Sequence, residues 1–184
     1  MKGENKKIIA VVGMAGAGKS TAVDYLIKKF NFPKVYLGEY TFLRLREEGL
    51  PINYKNEKII REKIRKELGM GGYAKLALPQ VKELVKKNRI VLIESLYSWQ
   101  EYKIFQEEFR ERFKVLAVVA DKEIRFKRLR ARKKERPIKS RKEFEERDRS
   151  EIENLAKGGP IAIADYFVVN NQNLSVLYRQ LNKI

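Results

Sequence analysis

The octapeptide Gly13-Met14-Ala15-Gly16-Ala17-Gly18-Lys19-Ser20 follows directly on the apolar run Ile8-Ile9-Ala10-Val11-Val12. The pattern G-x-x-x-x-G-K-S, set between a buried-strand signal and a helical one, restricts the chain to a small set of folds. Residues 8–12 read as a strand covered on both faces. Thr21 to Phe30 carries apolar residues at Ala22, Val23, Leu26, Ile27 and Phe30, at helical spacing. Glycines let the backbone curl so that N–H groups turn inward onto phosphate oxygens. The helix that follows adds the positive end of its dipole. Gly13, Ala15, Gly16, Ala17, Gly18, Lys19, Ser20 and Thr21 are therefore candidate nucleotide contacts. Lys19 would reach the β- and γ-phosphates, and the Ser20 hydroxyl would ligate Mg2+.

A length of 184 residues with 43% hydrophobic content fits one globular domain, with room for a small lid. No apolar run approaches the roughly 20 residues of a membrane span. The first residues, Met1 to Lys7, are polar and lack a secretory pattern, so a cytoplasmic protein without a membrane partner is expected. With no cysteine, disulfides and thiolate metal sites are excluded. With no histidine, a general base must be a carboxylate, a lysine or water. Twenty of the 24 acidic residues are glutamate, a balance that leans toward a thermophilic source. The net charge is +17, and Lys122 to Lys142 alone carries twelve basic residues against Glu123 and Glu135. That concentration suits a phosphate-handling lid and equally an RNA-binding helix.

Strands are expected at 8–12, 35–37, 90–93, 114–120 and 166–169. Helices are expected at 19–30, 40–48, 56–68, 74–87, 98–112, 122–134, 141–156 and 173–182. Pro79 should kink the helix at 74–87 or mark its true start, and Gly158-Gly159-Pro160 reads as a turn. Short apolar strands alternating with helices imply an α/β architecture, a parallel sheet with helices on both faces. Ligands then collect at the carboxyl ends of the strands. The glycine-rich loop, Gly38-Glu39, Glu94-Ser95, Asp121 and Asn170-Asn171 should surround one crevice.

GTPases carry an N-K-x-D segment, and none is present. The run Ile90-Val91-Leu92-Ile93 ends in Glu94, which would either orient Mg2+ through water or cap the next helix. Arg125, Arg128, Arg132 and Arg136 are spaced by three, four and four, on one helical face. Arginine forks suit the equatorial oxygens of a transferring phosphoryl group, and a solvated charged face is the other reading of the same row.

On these segments the chain resembles a mainly archaeal family of small P-loop kinases, similar to dephospho-coenzyme A kinase and the nucleoside-monophosphate kinases. The resemblance is carried by the loop, by Gly38-Glu39, and by Arg65-Lys66-Glu67-Leu68-Gly69. It continues through Arg125-Phe126-Lys127-Arg128-Leu129 with Arg132 and Pro137, Glu143-Phe144-Glu145-Glu146-Arg147-Asp148, and Ile161 to Asn170. It implies a single domain over 1–184 with a five-stranded sheet in 2-3-1-4-5 order, an acceptor-binding insertion at about 38–75 and a basic lid at about 128–140. It implies ATP and Mg2+ as cofactors and a nucleotide-like small molecule as acceptor. Arg128 and Arg132 would then neutralise transition-state charge, with Arg65 holding an acceptor phosphate. The chain departs from the family pattern at Glu39, Phe42, Glu94-Ser95 and Tyr97. Arg44 and Arg46 would stand in for missing acceptor arginines, with Glu94 bordering the same site. Glu39 is either the acceptor-side carboxylate or a surface glutamate in a turn. Asn170 is either an adenine contact or an ordinary turn asparagine. The expected function is transfer of the γ-phosphoryl group to a nucleotide or nucleotide-like molecule. The alternative is a nucleic-acid-associated P-loop ATPase in RNA maturation, using the basic stretch 122–142.

Overall fold

Alternation along the central strands sets the layers of the protein, which a computed structural model describes over residues 6–133 and 137–184. In β1 (Lys7–Val12), Ile8, Ala10 and Val12 enter one core, while Ile9 and Val11 enter another. β3 (Ile90–Glu94) and β4 (Phe113–Val119) divide in the same way, so apolar residues on both faces demand cover on both faces. α1 (Lys19–Phe30) and α9 (Leu174–Leu181) cover one face with Val23, Leu26, Leu177 and Leu181. α2 (Glu39–Glu47), α3 (Tyr54–Leu68), α4 (Gly72–Lys87) and α5 (Trp99–Phe109) cover the other with Leu45, Ile60, Val81 and Phe105.

β2 (Lys34–Tyr36) and β5 (Tyr166–Val169) complete a parallel sheet in the order β2-β3-β1-β4-β5 among the described residues. The expected 2-3-1-4-5 order is the observed one. α6 (Lys122–Arg130) and α7 (Arg141–Glu153) close a third, small core, in which Leu129, Ile138 and Phe144 pack on Ala15 of the glycine-rich loop.

Local chemistry sets the boundaries. Side chains of Asn53, Ser98, Ser140 and Asn173 accept backbone N–H groups at the starts of α3, α5, α7 and α9. Three expectations differ from the structure. Gly158-Gly159-Pro160 is not a turn but the start of the short helix α8 (Gly158–Ala162). Proline is tolerated in a first helical turn, and a Cβ on Gly159 would lie 2.8 Å from the Trp99 ring, so that glycine serves close packing. Pro79 does not mark the start of α4, which begins at Gly72 and runs through the proline to Lys87, with Ala74, Ala77, Val81 and Val85 buried. The basic helix ends at Arg130 rather than near 134.

Phe105 is fully buried between the Phe109 and Phe113 rings. Phe105→Ala is expected to lower unfolding free energy by about 3–5 kcal/mol, read from urea denaturation. A loss below ~1 kcal/mol would show that this core is not packed as described.

Candidate functional site

The glycine-rich loop joins β1 to α1 through backbone that side chains resist. Gly13, Gly16 and Gly18 have φ of 146°, 80° and 100°. A Cβ on Gly13 would sit 2.2 Å from the Val118 carbonyl oxygen, and one on Gly18 2.2 Å from Asn170 Nδ2. Three loop carbonyls accept side-chain donors. Lys19 Nζ donates to Met14 O at 3.1 Å, Arg125 Nη1 to Ala15 O at 3.1 Å, and Asn170 Nδ2 to Ala17 O at 2.8 Å. Thr21 follows in the first turn of α1.

The loop borders a cavity of about 670 Å3 that runs from Lys19 and Ser20 to α3. At the loop end, the Ser20 hydroxyl donates to Glu94 Oε1 at 3.0 Å, and Lys34 Nζ donates to Glu94 Oε2 at 2.8 Å. Arg132, Arg147 and Lys157 line the same end. Burial pushes Lys19 down to about 7, with the Lys157, Arg132 and Arg147 cations adding to the effect and Glu151 opposing it. At the far end stand Arg61 and Arg65 of α3, with the Arg65 guanidinium 6.0 Å from the Tyr73 ring centre. Phe42, Tyr36, Tyr54 and Tyr97 add aromatic wall. Ser95, a non-glycine residue at φ 71°, borders this wall, and its Oγ accepts the Tyr97 hydroxyl at 3.0 Å. Glu101 also lines it. Burial pushes that carboxyl up to about 7, although Oε2 accepts the Tyr97 and Ser98 N–H groups.

The structure brings Lys19, Ser20, Glu94, Arg65 and Arg132 together on this cavity and sets others apart. Glu39 is exposed, pairs with Arg46 at 2.9 Å and lies off the cavity wall. Arg44, expected near the acceptor, instead pairs with Glu48 and Glu67 away from the wall. The arginine row does not act as one face. Arg125 is buried and bonds Asp148 with both Nη atoms, tying α7 to the loop. Arg128 lies behind the loop, with Nη2 3.4 Å from Asn170 Oδ1 and Nη1 buried without a hydrogen-bond partner among the described residues. Arg132 lies just past α6 and reaches the cavity. Arg136 falls outside the described residues. Asn170 is buried and braces Ala17. Asp121 and Asn171, expected at the crevice, do not line the cavity and bond each other, Asp121 N–H to Asn171 Oδ1 at 2.9 Å.

Sequence reading missed several wall residues. Arg61 stands one turn before Arg65, a spacing that was there to be read. Ser98-x-x-Glu101 is a capping-box signature. Lys34, Glu151 and Lys157 carried no local signal; only folding brings them in.

The residues fit a nucleoside triphosphate. A cradle closed to any Cβ at Gly13 and Gly18 precedes a lysine, and the cations of the loop end converge there. The Ser20 hydroxyl and the Glu94 carboxylate are hard oxygen ligands suited to holding Mg2+ beside phosphate oxygens. No group of three or more acidic ligands exists among the described residues, so the protein alone would not cage the ion. No helix among the described residues is long and apolar enough to cross a membrane.

The AAA domain family matches residues 9–154. A UPF0200 protein of Thermococcus sibiricus is 35% identical over 178 residues, covering 96% of this chain and 93% of that protein. Among solved structures, TT1252 from Thermus thermophilus superposes with a TM-score of 0.62 at 19% identity, over 98% of this chain and 96% of that one. Shikimate kinase from Bacteroides thetaiotaomicron gives 0.61 at 18% identity, over 96% and 95%. These likenesses establish the fold, that of the small P-loop kinases.

Lys19 supplies a pH test. An unfolded lysine is protonated up to 10.5, whereas folded Lys19 loses its proton near 7. The unfolded chain therefore binds more protons between those values, and this group's contribution to stability rises with pH across that window. A bound triphosphate favours the ammonium, so nucleotide binding at pH 8.5 should take up about one proton from solvent. Calorimetry in two buffers of different ionisation enthalpy measures it. Zero uptake or net release would contradict the assignment.

Proposed function

This chain belongs to the UPF0200 family, and we propose that it is an ATP- and Mg2+-dependent phosphotransferase acting on a nucleotide or nucleotide-like small molecule. One observation carries the reading: a single cavity joins the glycine-rich loop to an arginine-bearing aromatic wall. The loop end suits the donor's phosphates. The wall of Arg61, Arg65 and Tyr73 suits an acceptor with a flat ring and an anionic group. The shikimate kinase likeness is compatible with a small acceptor.

Lys19 holds the β- and γ-phosphates. Ser20 and Glu94 would hold Mg2+, which when bound neutralises phosphate charge. Arg132 neutralises the equatorial oxygens as the group transfers. The acceptor oxygen bonds to phosphorus, the bridging P–O bond breaks, and its electron pair leaves with ADP. For a phosphate acceptor no base is required. For a hydroxyl acceptor, Glu101 is the better carboxylate than Glu39, since it lines the wall and Glu39 does not. The insertion at 38–75 supplies this wall; the lid expected at about 128–140 includes residues 134–136, which lie outside the described residues, and of its described part Arg132 reaches the cavity. By this reading Arg128 and Asn170 support the loop.

The basic stretch favours this reading over nucleic-acid binding. Lys122 pairs with Glu145 at 3.0 Å, and Arg141 pairs with Glu123 and Glu145, so α7 neutralises part of the charge locally.

The chain with Mg2+ and ATP is expected to release ADP faster when the right member of a panel of nucleotides, nucleosides and coenzyme A precursors is present, with a phosphorylated product. Arg65→Ala should lower kcat/KM for that acceptor by about 10- to 100-fold, the worth of one charge-assisted hydrogen bond. ATP affinity should be unchanged. A folded, ATP-binding chain that phosphorylates nothing in the panel would overturn the reading.

A further inference from the structure

Lys157 is a lysine that composition alone would place at the surface, yet its side chain is 3% exposed. It occupies the turn between α7 and α8, after Ala156, whose φ of 50° bends the chain back toward the cavity. Its Nζ lies 2.6 Å from Glu151 Oε2 and 4.5 Å from the centre of the Tyr97 ring. Glu151 also meets Arg147 Nε at 3.5 Å. All four side chains line the cavity, as do Lys19 and Arg132. Burying an ammonium costs several kcal/mol of hydration, and a single carboxylate rarely restores it. An ammonium has three donors, Glu151 accepts from one of them, and Lys157 lines the cavity together with Lys19, Arg132 and Arg147. Among the cations that act on Lys19, Lys157 acts most strongly.

We propose that Lys157 is a second phosphate-binding lysine, which contacts the terminal phosphate of the bound nucleoside triphosphate. Glu151 is its positioning residue. The carboxylate holds Lys157 and Arg147 in place and offsets their mutual repulsion until the phosphate arrives. The inference rests on the proposed nucleotide site and adds to it a contact that the loop pattern does not contain. A lysine here also explains why Glu151 keeps its proton affinity low despite burial: three cations, Lys157, Arg147 and Lys19, face it.

The test compares ATP with ADP, because a terminal-phosphate contact acts on one and not the other. Isothermal calorimetry with Mg2+ should give Lys157→Met an ATP affinity lowered about tenfold or more, the worth of one charge-assisted hydrogen bond, with ADP affinity changed less than threefold. Lys157→Arg should restore much of the difference. Lys157→Met leaves Glu151 buried without its partner, so the double variant Lys157→Met with Glu151→Gln removes both charges and guards against a misfolded protein. It should show the same selective loss for ATP. A folded single or double variant whose ATP-to-ADP ratio matches the unaltered chain overturns the proposal and leaves the nucleotide site standing. An unaltered chain that binds neither nucleotide overturns both.

Discussion

The packing of the glycine-rich loop against β4, α6 and the end of β5 is the constraint on which the rest of the site depends. The loop can pass only because nothing projects from Gly13 or Gly18. Once there, three of its carbonyls accept side-chain donors, one from its own Lys19 and two from outside, Arg125 and Asn170. The two outside grips each recruit a distant part of the chain. Asn170 brings the end of β5 beneath Gly18. Arg125 passes through Asp148 to α7, and α7 carries Arg147 and Glu151 into the cavity. The basic segment that looked like a surface feature is therefore part of the scaffold of the phosphate end.

Charge is the second organising force. Among the described residues, seven basic and four acidic side chains line the cavity. A basic excess of this kind is costly without an anion, because like charges in a partly desolvated space raise one another's energy. Lys19 meets the cost by weakening its hold on its proton, and Glu94 and Glu151 meet it by pairing with Lys34 and Lys157. A polyanionic ligand replaces these compromises, which is why the cavity reads as a phosphate site before any ligand is placed in it.

The sequence made the parallel sheet and its covering helices legible because strand burial and helical spacing are local patterns. Resemblance supplied the strand order. Loop residues and Glu94 were legible for the same reason: a motif fixes them within a few positions. Lys157 and Lys34 were not, since each reaches the site through a contact across many residues. The arginine spacing misled at Arg125, where a helical face turned toward the loop's back rather than its mouth. Glu39 and Arg44 misled because sequence proximity to Gly38 does not say which way α2 presents its residues. In the structure they pair with Arg46 and with Glu48 and Glu67. The similar UPF0200 protein of Thermococcus sibiricus comes from an archaeal thermophile, in keeping with the glutamate- and lysine-rich composition here.

A crystal structure of the chain with Mg2+ and a non-hydrolysable ATP analogue would decide whether the loop holds the phosphates. The account predicts β- and γ-phosphates inside the loop, with Lys19 within hydrogen-bond distance of both and Arg132 turned onto the terminal oxygens. A nucleotide bound elsewhere, or a loop that stays closed around its own Met14 carbonyl with the phosphates outside it, would contradict the account.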